Sequence, residues 1–119
     1  MSSDTCVSIV PYFKIKPGHI EAFKALTELF VATTKPEPGC LYYGFSFNED
    51  MAHCREGYQD GAAALAHLQN VGALIEESGQ HADIVQLEIH GLESEIAQMR
   101  DPLKDLPAKF FTLATGFRH

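Results

Sequence analysis

The order of strand-like and helix-like hydrophobic patterns is the feature that most constrains the fold of this chain. Strands carry apolar residues at every second position, whereas amphipathic helices carry them every three or four positions. These patterns predict strands over residues 6–15, 40–47, 52–58 and 84–90, and helices over residues 19–33 and 60–70. The order β-α-β-β-α-β is typical of the ferredoxin-like α+β fold, an antiparallel sheet with two helices on one face.

Local residue chemistry adds detail to these elements. Pro11 lacks an N–H group, so we expect a bulge or an outward-turned position within the first strand. Asp60 is placed to cap the second helix, and Gly72 predicts a kink in the apolar stripe that continues beyond it. Alternation in the fourth strand predicts that Val85 and Leu87 lie on one face. The other face of the sheet is predicted to be uncovered, which favours a dimer or a bound ligand.

The C-terminal part of the chain also shows regular patterns. Residues 92–103 carry apolar side chains at helical spacing, and Phe110–Phe117 is apolar enough to predict a fifth strand. We expect this strand to pair with the sheet edge or to cross to a second subunit. The whole chain, residues 1–119, is predicted to be one domain with a core over residues 6–91 and an extension over residues 92–119.

Charge and cysteine content exclude several classes of function. Nine Lys and Arg residues stand against sixteen Asp and Glu residues, which gives a formal net charge of −7. Such an acidic chain is poorly suited to nucleic acid or to an anionic membrane surface. The first residues, Met1–Thr5, show no leader pattern, and the three cysteines form no C-x-x-C pair. We therefore expect reduced cysteines and a location in bacterial or archaeal cytoplasm.

The candidate chemistry is a set of polar side chains rather than a known catalytic motif. His67 lies at the border of the apolar stripe of its helix, where an imidazole can face a cleft and accept a proton. The alternative is a helix-flank histidine bonded to a nearby carbonyl. Glu56 and Tyr58 share one face of the third strand, while Arg55 lies on the other. Glu56 is either a base or a partner of His67, or it forms an ion pair at a subunit rim.

Aromatic side chains on the strands have two interpretations. Tyr43, Phe45 and Tyr58 could form a cradle for a substrate, although an aromatic stripe on a strand more often belongs to a core or a dimer interface. No two histidines have metal-ligand spacing on one element, so we predict no metal site. Cys40 and Cys54 are expected to be small buried residues on paired strands.

Three features together resemble a known family. These are the element order over residues 6–91, the run Arg55-Glu56-Gly57-Tyr58-Gln59-Asp60 leading to Ala66-His67-Leu68, and the closing Phe110-Phe111-x-Leu-x-x-Gly116-Phe117. The chain is similar to the antibiotic biosynthesis monooxygenase domain, in particular to its quinol-monooxygenase-like members. That resemblance implies a dimeric α+β barrel, with a pocket between sheet and helices in each subunit.

The resemblance also implies a reaction. Enzymes of this family oxidise quinols or polyphenols with O2 and need neither a metal nor an organic cofactor. His67, Glu56 and Tyr58 would be the catalytic residues, and Tyr43, Phe45 and Arg55 would contact the substrate. The chain contains no tryptophan, which argues against the haem-degrading relatives. A homodimeric module that binds a small aromatic ligand and a ring-lactone isomerase remain alternatives on the same fold.

Overall fold

A computed structural model of the chain describes residues 4–119, and it shows a five-stranded sheet with four helices. Residues 1–3 lie outside the described residues, and the expectation that Met1–Thr5 shows no leader pattern falls partly on them. The elements follow the order β1 (Val7–Ile15), α1 (Ile20–Thr34), β2 (Cys40–Asn48), β3 (Met51–Tyr58), α2 (Gly61–Asn70), α3 (Gly72–Ser78), β4 (Ala82–Gly91), α4 (Glu93–Arg100) and β5 (Ala108–Thr112). This arrangement confirms the predicted ferredoxin-like α+β class, its C-terminal helix and its extra strand.

The strands lie in the order β2-β3-β1-β4-β5, and every pair is antiparallel except β4 with β5, which is parallel. The fifth strand thus pairs with the edge of the sheet in its own chain. It ends at Thr112 rather than at Phe117, and the Phe117 side chain is 80% exposed. The predicted length of this strand was therefore wrong, since the apolar run continues past the last residue that pairs with β4.

A bulge in β4 changes the face on which its side chains lie. Pro11 pairs with Leu87, but the next two positions of β1 pair with Gln86 and Ile84, so Val85 is skipped. Val85 is 56% exposed, whereas Leu87 is buried. The predicted alternation was wrong at Val85 because the extra residue shifts the two-residue period. The expected bulge was at Pro11, but the register shift lies between Tyr12 and Phe13, and the extra residue belongs to β4.

The helices cover one face of the sheet and build the core there. α1 buries Phe23, Leu26 and Phe30 against the strands, in clusters that include Phe13 and Ile15. In the described part of the chain, no helix is long and apolar enough to cross a membrane.

The predicted second helix divides into α2 and α3 at the expected position near Gly72. The carboxylate of Asp60 accepts a hydrogen bond from the backbone N–H of Ala63 at 2.8 Å, which confirms the predicted N-cap. This cap fixes the start of α2, and therefore the direction in which His67 projects two turns later.

Candidate active site

An apolar cavity lies between the inner face of the sheet and the helices. Its volume is about 70 Å³, enough for a few water molecules at ~10–15 Å³ each. Its polar lining side chains are Glu56, His67, Tyr43, Cys54 and Ser78; the rest are hydrophobic and include Ile9, Phe13, Phe30, Phe45, Val71, Ile84, Leu87, Ile89, Leu103 and Leu106. A molecule bound here would meet a small group of titratable side chains in an otherwise apolar environment.

Glu56 projects from β3 into this space. Tyr58 lies on the same face of the strand, because side chains two positions apart share one face. Glu56 is 6% exposed and Tyr58 is fully buried. The Tyr58 hydroxyl donates a hydrogen bond to Glu56 Oε1 at 2.6 Å. Burial raises the pKa of Glu56 to about 7, against the lowering effect of the Tyr58 hydrogen bond. Near neutral pH this carboxyl group can therefore serve as a proton donor.

His67 reaches the same group from α2. The residue is 2% exposed, and its ring lies between two aromatic rings, with centroid distances of 5.1 Å to Tyr43 and 4.9 Å to Tyr58. The imidazole Nε2 atom is 3.6 Å from Glu56 Oε1. His67 was expected at the border of the apolar stripe, but it is more deeply buried than that position implies. The reason is that α2 packs closely enough on the sheet to enclose the whole ring.

The other imidazole nitrogen contacts Glu37. His67 Nδ1 lies 3.1 Å from Glu37 Oε1 and 3.0 Å from Oε2. A carboxylate can only accept hydrogen bonds, so Nδ1 carries the proton and Nε2 presents its lone pair toward Glu56. Burial lowers the pKa of His67, and the hydrogen bond and charge of Glu37 oppose that shift. A neutral imidazole, poised as a base, thus lies beside a carboxyl group whose pKa is raised.

Glu37 is a functional candidate that sequence reasoning missed. It lies in the turn between α1 and β2, in the run Lys35-Pro36-Glu37-Pro38-Gly39. Asn70 donates a hydrogen bond to Glu37 Oε2 at 2.8 Å and so ties the turn to α2. An acidic residue between two prolines is held in a rigid turn, and that pattern is the one signal that could have marked it.

The predicted site residues divide into two groups. The structure brings His67, Glu56 and Tyr58 into direct contact, and Tyr43 and Phe45 line the same cavity. Arg55 lies on the opposite face of β3, where its guanidinium carbon is 4.9 Å from the centre of the Tyr42 ring. The expected place of Arg55 in this pocket was wrong, because neighbouring residues of a strand project to opposite faces.

The cysteines and the acidic side chains complete the description of the site. Cys6, Cys40 and Cys54 are free thiols, and Cys54 is buried beside Glu56. Burial raises the pKa of the Cys54 thiol, and the Glu56 charge adds to this effect, so the thiol stays protonated. Within residues 4–119, no three or more His, Cys, Asp or Glu side chains are arranged to hold a metal ion.

Comparison with known proteins places this chain in a family. The model of the antibiotic biosynthesis monooxygenase family matches residues 6–74. The crystal structure of MupZ from Pseudomonas fluorescens is 44% identical, covers 96% of this chain and 94% of that one, and superposes with a TM-score of 0.90. No curated protein matches the chain.

More distant structures share the fold. A Nitrosomonas europaea protein, described as an antibiotic biosynthesis monooxygenase, is 18% identical over 76% of this chain and 93% of that one, with a TM-score of 0.69. One of the same description from Caulobacter crescentus is 20% identical over 72% of this chain and 88% of that one, with a TM-score of 0.64. The chain belongs to the antibiotic biosynthesis monooxygenase family, and its extension after residue 91 is shared with MupZ.

Proposed function

We propose that the chain is an enzyme that transfers protons on a small, largely apolar molecule bound in the cavity. His67 is the general base and Glu56 is the general acid. The observation that carries this proposal is the 3.6 Å contact between His67 Nε2 and Glu56 Oε1 inside an apolar space. Two titratable groups whose environments shift their pKa values in opposite directions are the usual mark of an acid and base pair.

Membership of the family favours one reaction, the oxidation of a quinol or polyphenol by O2 without a cofactor. His67 would remove a phenolic proton at Nε2, and Glu37 would stabilise the imidazolium ion that forms. The resulting phenolate is rich in electrons and can reduce O2 directly. Tyr43 and Phe45 would pack against the substrate ring, while the apolar walls keep water away from the reacting atoms.

Oxygen consumption tests this reaction. Metal-free protein is mixed with a panel of hydroquinones and polyphenols, and the initial rate is compared for the wild type and the His67→Ala and His67→Gln variants. We expect a loss of about 100-fold or more in kcat when the base is removed. His119→Ala, at an exposed position, is the matched control and should keep the wild-type rate. Uptake that is unchanged in both His67 variants would contradict the role of His67.

A second reaction is favoured by the raised pKa of Glu56. Phenol oxidation needs a base, but a buried carboxylic acid 3.6 Å from that base also allows a proton to be returned elsewhere on the same molecule. That ability fits a ring-lactone isomerase, which works without O2. Turnover of a lactone panel under argon separates the two, and a protein that binds aromatic ligands without any turnover would be a non-catalytic module.

We also propose that the chain forms a homodimer through the second face of its sheet. In residues 4–119 the helices contact only the inner face, which leaves Tyr42 and Arg55 on an outer surface. Such a face with aromatic side chains is suited to a partner. Sedimentation equilibrium should give twice the 13.1 kDa mass of one chain, and a monomer at micromolar concentration would refute the dimer.

A further inference from the structure

We propose that Glu37 is the positioning residue through which His67 exchanges protons with solvent. This inference rests on the proposed proton-transfer function and assigns a residue for the exchange. The cavity itself is lined by apolar side chains on nearly all sides, so a proton taken from a bound molecule needs another path to water. Glu37 offers that path from the far side of the imidazole.

The contacts form a continuous series from the interior to the surface. Glu56 Oε1 is 3.6 Å from His67 Nε2, and His67 Nδ1 is 3.0 Å from Glu37 Oε2. The side-chain exposures are 5% for Glu56, 3% for His67 and 14% for Glu37. Exposure thus increases only at the last member of the series, where water can reach a carboxylate.

Three segments of the chain place titratable side chains against His67. β2 provides Tyr43, β3 provides Glu56 and Tyr58, and the turn before β2 provides Glu37. Tyr58 is fully buried and Tyr43 is half-buried, and this burial raises the pKa of each phenol, so they stay protonated near neutral pH. Of these groups Glu37 combines direct contact with Nδ1 and partial exposure.

Asn70 and the turn backbone hold Glu37 in place. The Asn70 amide donates to Glu37 Oε2 at 2.8 Å and to the carbonyl of Thr33 at 3.0 Å, so it joins α2 to the end of α1. The Glu37 N–H group donates to the carbonyl of Thr34 at 2.9 Å. Asn70 lies one helical turn after His67, so the same helix fixes both the imidazole and the carboxylate that it contacts.

The proposed step conserves protons at each stage. A proton from the bound molecule joins His67 Nε2, and the proton already on Nδ1 moves to Glu37 Oε2. Glu37 then releases it to water, which leaves His67 neutral with its proton on Nε2. The reverse transfer through Glu37 to Nδ1 lets Nε2 give its proton to the product or to Glu56.

Proton exchange can be measured without a substrate. In ¹⁵N-labelled protein, the rate at which the His67 imidazole N–H exchanges with water is compared for the wild type, Glu37→Gln and Glu37→Asp. Gln keeps an oxygen that can accept from Nδ1 but is not a base, so we expect exchange about 100-fold slower. Glu37→Asp, which keeps a carboxylate, should exchange faster than Glu37→Gln. Glu77→Gln, at an exposed position of α3, is the matched control.

An equal exchange rate in the wild type and Glu37→Gln would overturn the inference. With a substrate in hand, Glu37→Gln should lower kcat with little change in KM, and added formate should restore part of the lost rate. A change in KM with kcat unaltered, or no effect of formate, would instead show that Glu37 has a structural role. If the wild type turns over no substrate but Glu37→Gln still slows exchange, the proposed function fails while the assignment of Glu37 holds.

Discussion

Replacement of Glu56 by Gln isolates the energetic consequence of burying a carboxyl group in this cavity. The pKa of Glu56 is raised from its ordinary 4.5 to about 7, chiefly by burial. A group with a raised folded-state pKa adds stability that is complete below the unfolded-state pKa and is lost as pH rises through the folded-state pKa. The wild type should therefore lose stability between about pH 4.5 and about pH 7 through this group.

The magnitude follows from the shift. A pKa difference of about 2.5, from 4.5 to about 7, corresponds to about 3 kcal/mol at ~1.4 kcal/mol for each unit. The amide of Gln is close in size to a carboxylic acid and does not titrate. Relative to Glu56→Gln, the wild type should therefore lose about 3 kcal/mol of unfolding free energy between about pH 4.5 and about pH 8. His67 titrates in both proteins, and taking the difference removes most of its contribution.

Urea unfolding followed by circular dichroism at several pH values gives the required free energies. We expect the difference between wild type and Glu56→Gln to change steeply between about pH 4.5 and about pH 7 and to level off above about pH 8. A difference that stays constant across this range would refute the argument, since it would mean that Glu56 titrates near its ordinary pKa in the folded protein. The same outcome would remove the general acid from the proposed reaction.

Three other substitutions test nearby features. Tyr58→Phe removes the hydroxyl that donates to Glu56. Because that bond lowers the pKa of the carboxyl, the pH-dependent loss of stability should extend to a higher pH in this variant than in the wild type, in the same urea experiment. Gly61→Ala should destabilise the chain by about 1–3 kcal/mol, since an added Cβ would overlap the backbone carbonyl oxygen of Glu95. Gly72→Ala, where a Cβ meets nothing within 4 Å, should stabilise it by about 0.4–1 kcal/mol, and thermal unfolding that ranks these two variants in the opposite order would contradict the packing.

The alternation of side chains along β3 and the N-cap of α2 could be predicted from the sequence. A period of two placed Glu56 and Tyr58 on one face, and a single Asp60 side chain defined the start of α2, so the direction of His67 followed from local rules. The bulge at Val85 could not be predicted, because it depends on how β4 pairs with β1. The residue type at that position does not indicate a bulge.

Glu37 and Arg55 show why the site was only partly predictable. Glu37 lies 30 residues before His67, and the contact exists because α1 and α2 pack side by side and bring the turn after α1 against the imidazole. No periodicity within either segment contains that information. Arg55 was expected to contact the substrate because of the family resemblance, although the alternation of the strand had already placed it on the face opposite Glu56.

The protonation pattern explains how this cluster can be buried. An unpaired charge inside an apolar cavity is costly, and groups in that position shift their pKa and become neutral instead. Here the fully enclosed members, Glu56 and His67, are both shifted toward their neutral forms, while the charge-bearing Glu37 is the member with access to water. Transfer of a proton from substrate to His67 creates an imidazolium ion 3.0 Å from that carboxylate. The resting site therefore avoids most of the cost of a buried charge, and the one charge it retains lies where the reaction would need it.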